Sequence, residues 1–161
     1  MIKKLCLRKV VQDDLPIFFE QQNDPKAIHM AAFTSKDPAD RDAFKAHWQR
    51  ILAAKTVIIR TIVWEDKIAG YMLSYEEEGK PEVSYWLGTA FWGKGIATHA
   101  LTAFLTDVNQ NRPIYGRVAK DNIGSLRVLE KCGFSVIDET TGFANARGQE
   151  IEELALVKTA V

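Results

Sequence analysis

The sequence predicts a mixed α/β fold in which helices flank a largely antiparallel sheet. Three strand-like segments with short polar connections occupy the middle of the chain, a pattern typical of an antiparallel meander. In the last third, helical and strand-like segments alternate, which indicates a β-α-β-α-β arrangement. The 161 residues, 47% of them hydrophobic, suffice for one compact domain spanning 1–161, and no repeat or linker marks a second domain.

The first half of the chain is predicted to contain one strand and two helical segments. A short apolar stretch over 5–11 predicts the strand, and an amphipathic segment beginning at Asp13 and Asp14 follows it. A clearer helix is predicted from Asp37, which would cap it while Pro38 occupies the first turn. Its apolar residues recur at helical spacing, and two of them are expected in the core: Phe44 and Trp48.

The remaining elements follow from changes in periodicity. Strands are predicted over 57–64, 68–75 and 81–87, the first of them rich in β-branched residues. An apolar stripe predicts a helix from Gly95 onward, and a second helix is predicted over 122–132, with Gly133 as its left-handed end. The last three strands are predicted over 113–119, 134–137 and 151–157.

Charge and cysteine content exclude several classes of protein. Lys plus Arg and Asp plus Glu both total 21, so the chain lacks the basic excess of a nucleic-acid binder. No apolar run reaches the ~18 residues of a membrane span, and no hydrophobic region follows the N-terminal lysines. A cytoplasmic protein without nucleic-acid or membrane partners is expected. Cys6 and Cys132 are expected to be buried thiols, with no disulfide and no metal site.

The most informative segment lies between the strand ending at Leu87 and the helix that starts near Gly95. Two glycines let the backbone approach a ligand, and the unpaired amides of a helix start favour phosphate. The alternative is that the two glycines serve only to form the turn and bind no ligand. Neither the P-loop nor the dinucleotide fingerprint fits, because Lys94 precedes Gly95 and Thr98 holds the third glycine position. The segment consists of Trp92, Gly93, Lys94, Gly95, Ile96, Ala97 and Thr98.

A second motif opens the helix over 122–132. Asn122 is suited to cap this helix, and Ser125 follows three residues later. Capping alone would account for both residues. They also follow a predicted strand beside the glycine segment, which is where open α/β sheets bind ligands.

Both motifs resemble those of the GNAT-type N-acetyltransferases. Residues 92–97 resemble the loop that holds the acyl-CoA pyrophosphate, with the pattern Gln/Arg-x-x-Gly-x-Gly/Ala. Asn122-x-x-Ser125 followed by residues 129–134 resembles the next motif of the superfamily. Residues 85–88 and Trp92 are similar to the branch that contains the RimJ/RimL ribosomal-protein N-acetyltransferases. The resemblance covers 82–134 and implies a sheet splayed open between 82–87 and 114–118.

The resemblance also implies how acetyl-CoA would be held as co-substrate. Its pyrophosphate would meet the amides of the glycine segment, and Asn122 and Ser125 would lie near the pantetheine and the sulfur. The pantetheine would pair with the backbone of Tyr85, Trp86 and Leu87. Five basic residues are candidates for the outer phosphate, with solvated surface as the alternative for each: Lys94, Arg117, Lys120, Arg127 and Lys131.

Two residues are predicted to move protons. The tyrosine that serves as acid in much of the superfamily corresponds to Leu129, so the acid is assigned to Ser125 instead, as the RimJ/RimL branch implies. Glu82 is predicted to act as base, directly or through water, with a surface charge as the alternative. Three tyrosines would either line the acceptor pocket or pack in the sheet: Tyr71, Tyr75 and Tyr85.

The resulting prediction is an acetyl-CoA-dependent N-acetyltransferase that acts on a primary amine by direct attack in a ternary complex. The acceptor would be a protein N-terminus or a small molecule, selected by residues 28–48 and a loop over 142–148. A non-catalytic acyl-CoA-binding sensor or interaction module is the alternative, because Leu129 replaces the usual acid. A monomer or a homodimer is expected.

Overall fold

The computed structural model describes residues 4–161 and contains one seven-stranded sheet in the order β1-β2-β3-β4-β5-β7-β6. Residues 1–3 lie outside this range. They begin the N-terminal segment that is predicted not to be a secretory leader. The strands are β1 (Leu5–Arg8), β2 (Ile58–Trp64), β3 (Lys67–Glu77), β4 (Lys80–Leu87), β5 (Ile114–Ala119), β6 (Ser135–Ala144) and β7 (Gln149–Lys158). Neighbouring strands are antiparallel except β4 and β5, which run parallel. The predicted mixed, largely antiparallel sheet is confirmed.

Within residues 4–161, five α-helices accompany the sheet: α1 (Leu15–Gln22), α2 (Pro25–Ala31), α3 (Arg41–Ala53), α4 (Ile96–Ala103) and α5 (Ile123–Lys131). Helix α4 continues into a π-helical turn over 104–108. It belongs to the crossover that a parallel pair such as β4 and β5 requires. Gly133 has φ +95° directly after the C-cap of α5, as the sequence predicts.

The start of α3 differs from the prediction. The carboxylate of Asp37 accepts a 3.2 Å hydrogen bond from the Ala39 amide and so forms a turn around Pro38. Asp40 caps the helix instead, by accepting from the Ala43 amide at 3.0 Å. Two aspartates three residues apart both fit a capping pattern, and the second one begins the helix.

Helix α2 has no counterpart in the prediction, although its start carries a recognisable signal. The Asp24 side chain accepts a hydrogen bond from the Lys26 amide, and Pro25 occupies the first helical position. The helix has only seven residues, too few for an apolar stripe to repeat. Asp24 and Pro25 are therefore the local sequence signal that identifies α2.

Three predicted boundaries shift. Strand β1 ends at Arg8 rather than at residue 11, because the Val11 amide donates to the Asp14 carboxylate and turns the chain away. Strands β6 and β7, each ten residues long, form a hairpin that takes Gly142 out of the predicted loop. Most of β6 is exposed, so it lacks the alternation that identifies a half-buried strand.

One cysteine also departs from expectation. Cys132 is buried, at 8% exposure, whereas Cys6 is exposed on β1. Side chains alternate along β1, so Cys6 lies on the face opposite to Leu5 and Leu7, which pack against the core.

Cores on the two faces of the sheet hold the helices in place. On one face, Met72 of β3 is fully buried with Leu101 and Phe104 from α4 and its extension. On the other, Tyr71 faces α1 and α3, where Phe18 and Trp48 are almost completely buried. Each large apolar side chain so buried contributes about 1.5–3 kcal/mol. Strand β3 therefore runs between two separately packed helical layers.

Candidate functional site

A cleft of about 1560 Å³ opens where β4 and β5 diverge. Among the described residues the two strands share one bridge, between Glu82 and Tyr115, so β4 leaves backbone groups unpaired toward its C-terminal end. The walls come from β4, the glycine segment 92–98 and α5, with α2 and α3 on the opposite side. The volume exceeds the roughly 300–1,000 Å³ typical of a site for one small ligand. The cleft has room for two reactants side by side.

The glycine segment forms one end of this cleft. Gly93 and Gly95 have φ values of +73° and +76°, and a Cβ built on either would meet no atom within 4 Å. The His99 amide makes the first helical hydrogen bond of α4, to the Gly95 carbonyl at 3.1 Å. The amides of residues 96–98 therefore have no partner within the helix. The Trp92 indole anchors the segment by donating to the Leu87 carbonyl at 2.9 Å. This open cradle of amides fits a phosphate-bearing ligand.

The second predicted motif lies on the wall formed by α5. Asn122 caps the helix, since its Oδ1 accepts from the Ser125 amide at 3.3 Å. Its Nδ2 donates to the Met30 carbonyl at 3.2 Å, which ties α5 to the end of α2. Leu129, one helical turn beyond Ser125, is 4% exposed and belongs to the core. A Cβ on Gly116 would meet Leu129 Cδ2 at 3.3 Å, so this leucine packs tightly against β5.

Glu82 is buried at the vertex of the cleft, with 4% exposure, and is not a surface charge. Its Oε1 accepts from Arg117 Nε at 2.8 Å, and its Oε2 accepts from the Tyr75 hydroxyl at 2.5 Å. Burial, together with this hydrogen bond and the carboxylate charge, raises the pKa of Tyr75. Burial also raises the pKa of the neighbouring Glu153, against the lowering effect of Arg117. The carboxylates and Arg117 together form a charged cluster that lines the cleft.

The basic residues named from the sequence have different placements. Arg117 is engaged by Glu82, and Lys120 bridges Glu139 and Glu152, both at 2.8 Å. Arg127 and Lys131 line the cleft. Lys26 of α2, which the sequence did not single out, also lines it and lies 5.5 Å over the Trp92 ring. Lys26 is held in place by α2. The capping pair Asp24-Pro25, which marks the start of that helix, was therefore the sequence feature that could have predicted its position.

The three tyrosines divide between packing and polar contacts. Tyr71 packs against Phe18 and Trp48, with ring centroids 5.0 and 4.9 Å apart. Tyr75 contacts Glu82, as described above. The Tyr85 hydroxyl donates a 3.0 Å hydrogen bond to Ser125 Oγ across the cleft. This contact between a strand and a helix has no signature in sequence, because the two residues are 40 positions apart.

Residues 4–161 contain no cluster of three or more His, Cys, Asp or Glu side chains placed to hold a metal ion. In the same range, no helix is both long and apolar enough to cross a bilayer.

Comparison with known proteins gives the site a context. Residues 4–135 match the family model described as an acetyltransferase (GNAT) domain. A Bacillus licheniformis protein called uncharacterized N-acetyltransferase p20 is 27% identical, over 93% of this chain and 89% of the relative.

Two solved structures share the fold over nearly the whole chain. The microcin C7 self-immunity acetyltransferase MccE, in complex with acetyl-CoA and AMP, superposes with a TM-score of 0.79 at 19% identity, covering 99% of this chain and 94% of that one. The spermidine N-acetyltransferase from Vibrio cholerae, in complex with CoA and spermine, gives 0.78 at 18% identity and 96% of both chains.

Proposed function

This chain belongs to the GNAT acetyltransferase family and is an N-acetyltransferase, and on that basis we propose that it transfers the acetyl group of acetyl-CoA to a primary amine by direct attack in a ternary complex. The observation that carries the proposal is the open amide cradle at Gly93 and Gly95, at one end of a cleft large enough for two reactants. The cradle supplies the phosphate contacts that an acyl-CoA requires.

In this assignment the donor lies along the diverging strands. The unpaired backbone of β4 at Tyr85, Trp86 and Leu87 would hydrogen-bond the pantetheine arm. The segment from Trp92 to Thr98 would hold the pyrophosphate, and Asn122 and Ser125 would border the thioester. The related structures support the assignment, since MccE carries acetyl-CoA and the Vibrio cholerae enzyme carries CoA together with the amine spermine.

Two side chains would handle protons during transfer. The amine attacks the thioester carbonyl, the C–N bond forms, and the C–S bond breaks with its electron pair on sulfur. Glu82 would accept the proton that the amine loses, and Ser125 would donate one to the thiolate. Holding amine and thioester together supplies much of the acceleration. Ser125, with the residues at 85–88 and Trp92, favours an assignment to the RimJ/RimL-like branch.

Thiol release from acetyl-CoA across a panel of amines tests the proposal. The panel would contain peptides with free N-termini, polyamines and aminoglycosides, with CoA affinity measured in parallel by calorimetry. Acetylation of at least one amine, with saturation in both substrates and no burst of thiol without amine, is the expected result. A protein that binds no CoA would overturn the proposal at its first step.

A non-catalytic acyl-CoA sensor is a second candidate, and one observation favours it. Many members of the superfamily carry the tyrosine acid at the position of Leu129. In this chain that position holds a leucine that is buried in the core. The same panel separates the two functions, because tight CoA binding without thiol release on any amine would favour the sensor.

A further inference from the structure

The Ser125 hydroxyl has a donor but no acceptor. Its Oγ accepts a 3.0 Å hydrogen bond from the Tyr85 hydroxyl, and its amide is bound by the Asn122 cap. Among residues 4–161, no oxygen or nitrogen accepts the hydrogen of Ser125 itself. Ser125 lines the cleft and is only half-buried. Its hydrogen is therefore available to a group that occupies the cleft.

Tyr85 and Glu82 project to opposite faces of β4, because side chains alternate along a strand and the two positions differ by three. Tyr85 lies on the face of Val83 and Leu87, which belong to the core under α4 and α5. Glu82 lies on the other face and contacts Tyr75. One strand thus separates a hydroxyl pair on the side of the glycine segment from a carboxylate on the side of α2 and α3. An incoming amine could therefore lose its proton on one side of the strand while a leaving group gains one on the other.

We propose that Tyr85 and Ser125 form a proton relay to the departing thiolate. This inference rests on the proposed acetyl transfer. As the C–S bond breaks, Ser125 gives its proton to the sulfur and takes a proton from the Tyr85 hydroxyl. The proton lost by the amine leaves through Glu82 to solvent, and solvent reprotonates the Tyr85 phenolate after the products depart. One proton enters and one leaves, so the cycle balances.

The relay removes the chemical weakness of a lone serine. An aliphatic hydroxyl is a far weaker acid than a thiol, whereas a phenol, with an ordinary pKa near 10, is much closer to a thiol with one near 8.5. Proton transfer is most effective between groups of similar acidity. Burial raises the pKa of Tyr85, partly offset by the hydrogen bond to Ser125, so the phenol carries its proton at neutral pH before the reaction begins.

The position of Leu129 explains why the phenol comes from β4. A tyrosine at 129 would project one helical turn from Ser125, but the leucine there packs against Gly116 and is closed off by the core. The phenol of Tyr85 reaches Ser125 from the facing wall instead. The same chemical group is thus supplied from a different element.

Tyr85→Phe, Ser125→Ala and the double variant test the relay, with Tyr115→Phe as matched control. Tyr115 lies on β5 under the Lys80 ammonium, and it does not line the cleft. With acetyl-CoA and an active amine, kcat of Tyr85→Phe should fall about 10²-fold, while KM for acetyl-CoA and CoA affinity stay unchanged. The double variant should lose no more than the worse single variant, because both residues serve one path. Tyr115→Phe should match the wild type.

A pH profile distinguishes proton transfer from packing. Replacing Tyr85 by 3,5-difluorotyrosine lowers the phenol pKa and should move the alkaline decline of kcat to lower pH. Undiminished kcat in Tyr85→Phe, or a difluorotyrosine profile identical to the wild type, would overturn the relay while leaving the proposed function intact. A wild-type protein inactive on every amine would overturn the proposed function, and the relay with it.

Discussion

Arg117 and Glu82 form an ion pair at the point where β4 and β5 part, with 2.8 Å between Nε and Oε1. Glu82 also provides the one backbone bridge that the described residues form between these strands, through Tyr115. The Glu82 side chain is 6% exposed, whereas that of Arg117 is 53% exposed. The pair therefore fixes the vertex of the cleft and orients a buried carboxylate, and its structural and chemical contributions must be measured separately.

Glu82→Gln should retain the fold, because the amide oxygen still accepts from Arg117, but it cannot take a proton from the amine. We expect kcat to fall about 10²-fold near neutral pH. The loss should shrink as pH rises, since free amine and hydroxide become more abundant. Steady-state rates from about pH 6 to about pH 10 measure this trend. Glu152→Gln, which alters an exposed carboxylate paired with Lys120, is the matched control. A loss of equal size at every pH would assign Glu82 a structural role only.

The sequence predicted the sheet and most helices because their signals are local. The meander follows from β-branched segments separated by polar turns, and the end of α5 follows from Gly133. The start of α3 was ambiguous, because Asp37 and Asp40 both fit a capping pattern. The length of β6 was not predictable, because an edge strand exposed on both faces shows no alternation.

The two motifs proposed for the site lie at helix starts and are visible as local sequence patterns, whereas contacts between distant strands are not. Glu82 was named from its position on β4, but its burial depends on Arg117 and Tyr75, which lie on two other strands. The pairing of Tyr85 with Ser125 likewise exists only in the folded chain. Side chains that meet across a cleft leave no spacing pattern in a single sequence.

Gly95→Glu should weaken CoA binding at least about tenfold, or about 1.4 kcal/mol. Gly95 has φ +76° and faces open space, so the new side chain adds left-handed strain and puts a carboxylate beside the amide cradle. Calorimetric titration with CoA measures the loss. Gly148→Glu is a matched control, because Gly148 has φ +64°, also faces open space and lies in the β6–β7 turn. Unchanged affinity in Gly95→Glu would show that the pyrophosphate lies elsewhere.

Lys26→Gln should weaken CoA binding about two- to fivefold, a loss typical of one partly solvated charge. Lys26 lies over the Trp92 ring at the edge of the glycine segment, where its ammonium would face the phosphates. The affinity of the variant should also respond less to added salt, because one screened attraction is gone. CoA titrations at low and high salt measure both effects. Lys45→Gln, at an exposed position of α3, controls for the lost charge, and an equal loss there would remove Lys26 from the site.

Asp14 should stabilise the N-terminal turn in a pH-dependent way. Its carboxylate is 1% exposed and accepts from Arg8 at 2.7 and 2.9 Å, from the Thr61 hydroxyl at 2.7 Å and from the Val11 amide at 3.0 Å. Burial alone would raise the pKa of Asp14, but these hydrogen bonds outweigh it and hold the pKa below its usual range. The folded state therefore prefers the charged form.

Asp14→Asn should lower the free energy of unfolding by about 2–4 kcal/mol at neutral pH, because it leaves Arg8 without its buried partner. A depressed folded pKa contributes stability above the unfolded value of about 3.9, and that contribution is lost as pH falls through the folded pKa. The difference between wild type and variant should therefore be constant above about pH 5 and shrink in stronger acid. Urea denaturation at several pH values measures it, with Asp37→Asn in an exposed turn as control. A difference that stays constant into strong acid would mean that the substitution at position 14 disturbs packing rather than removing a charge.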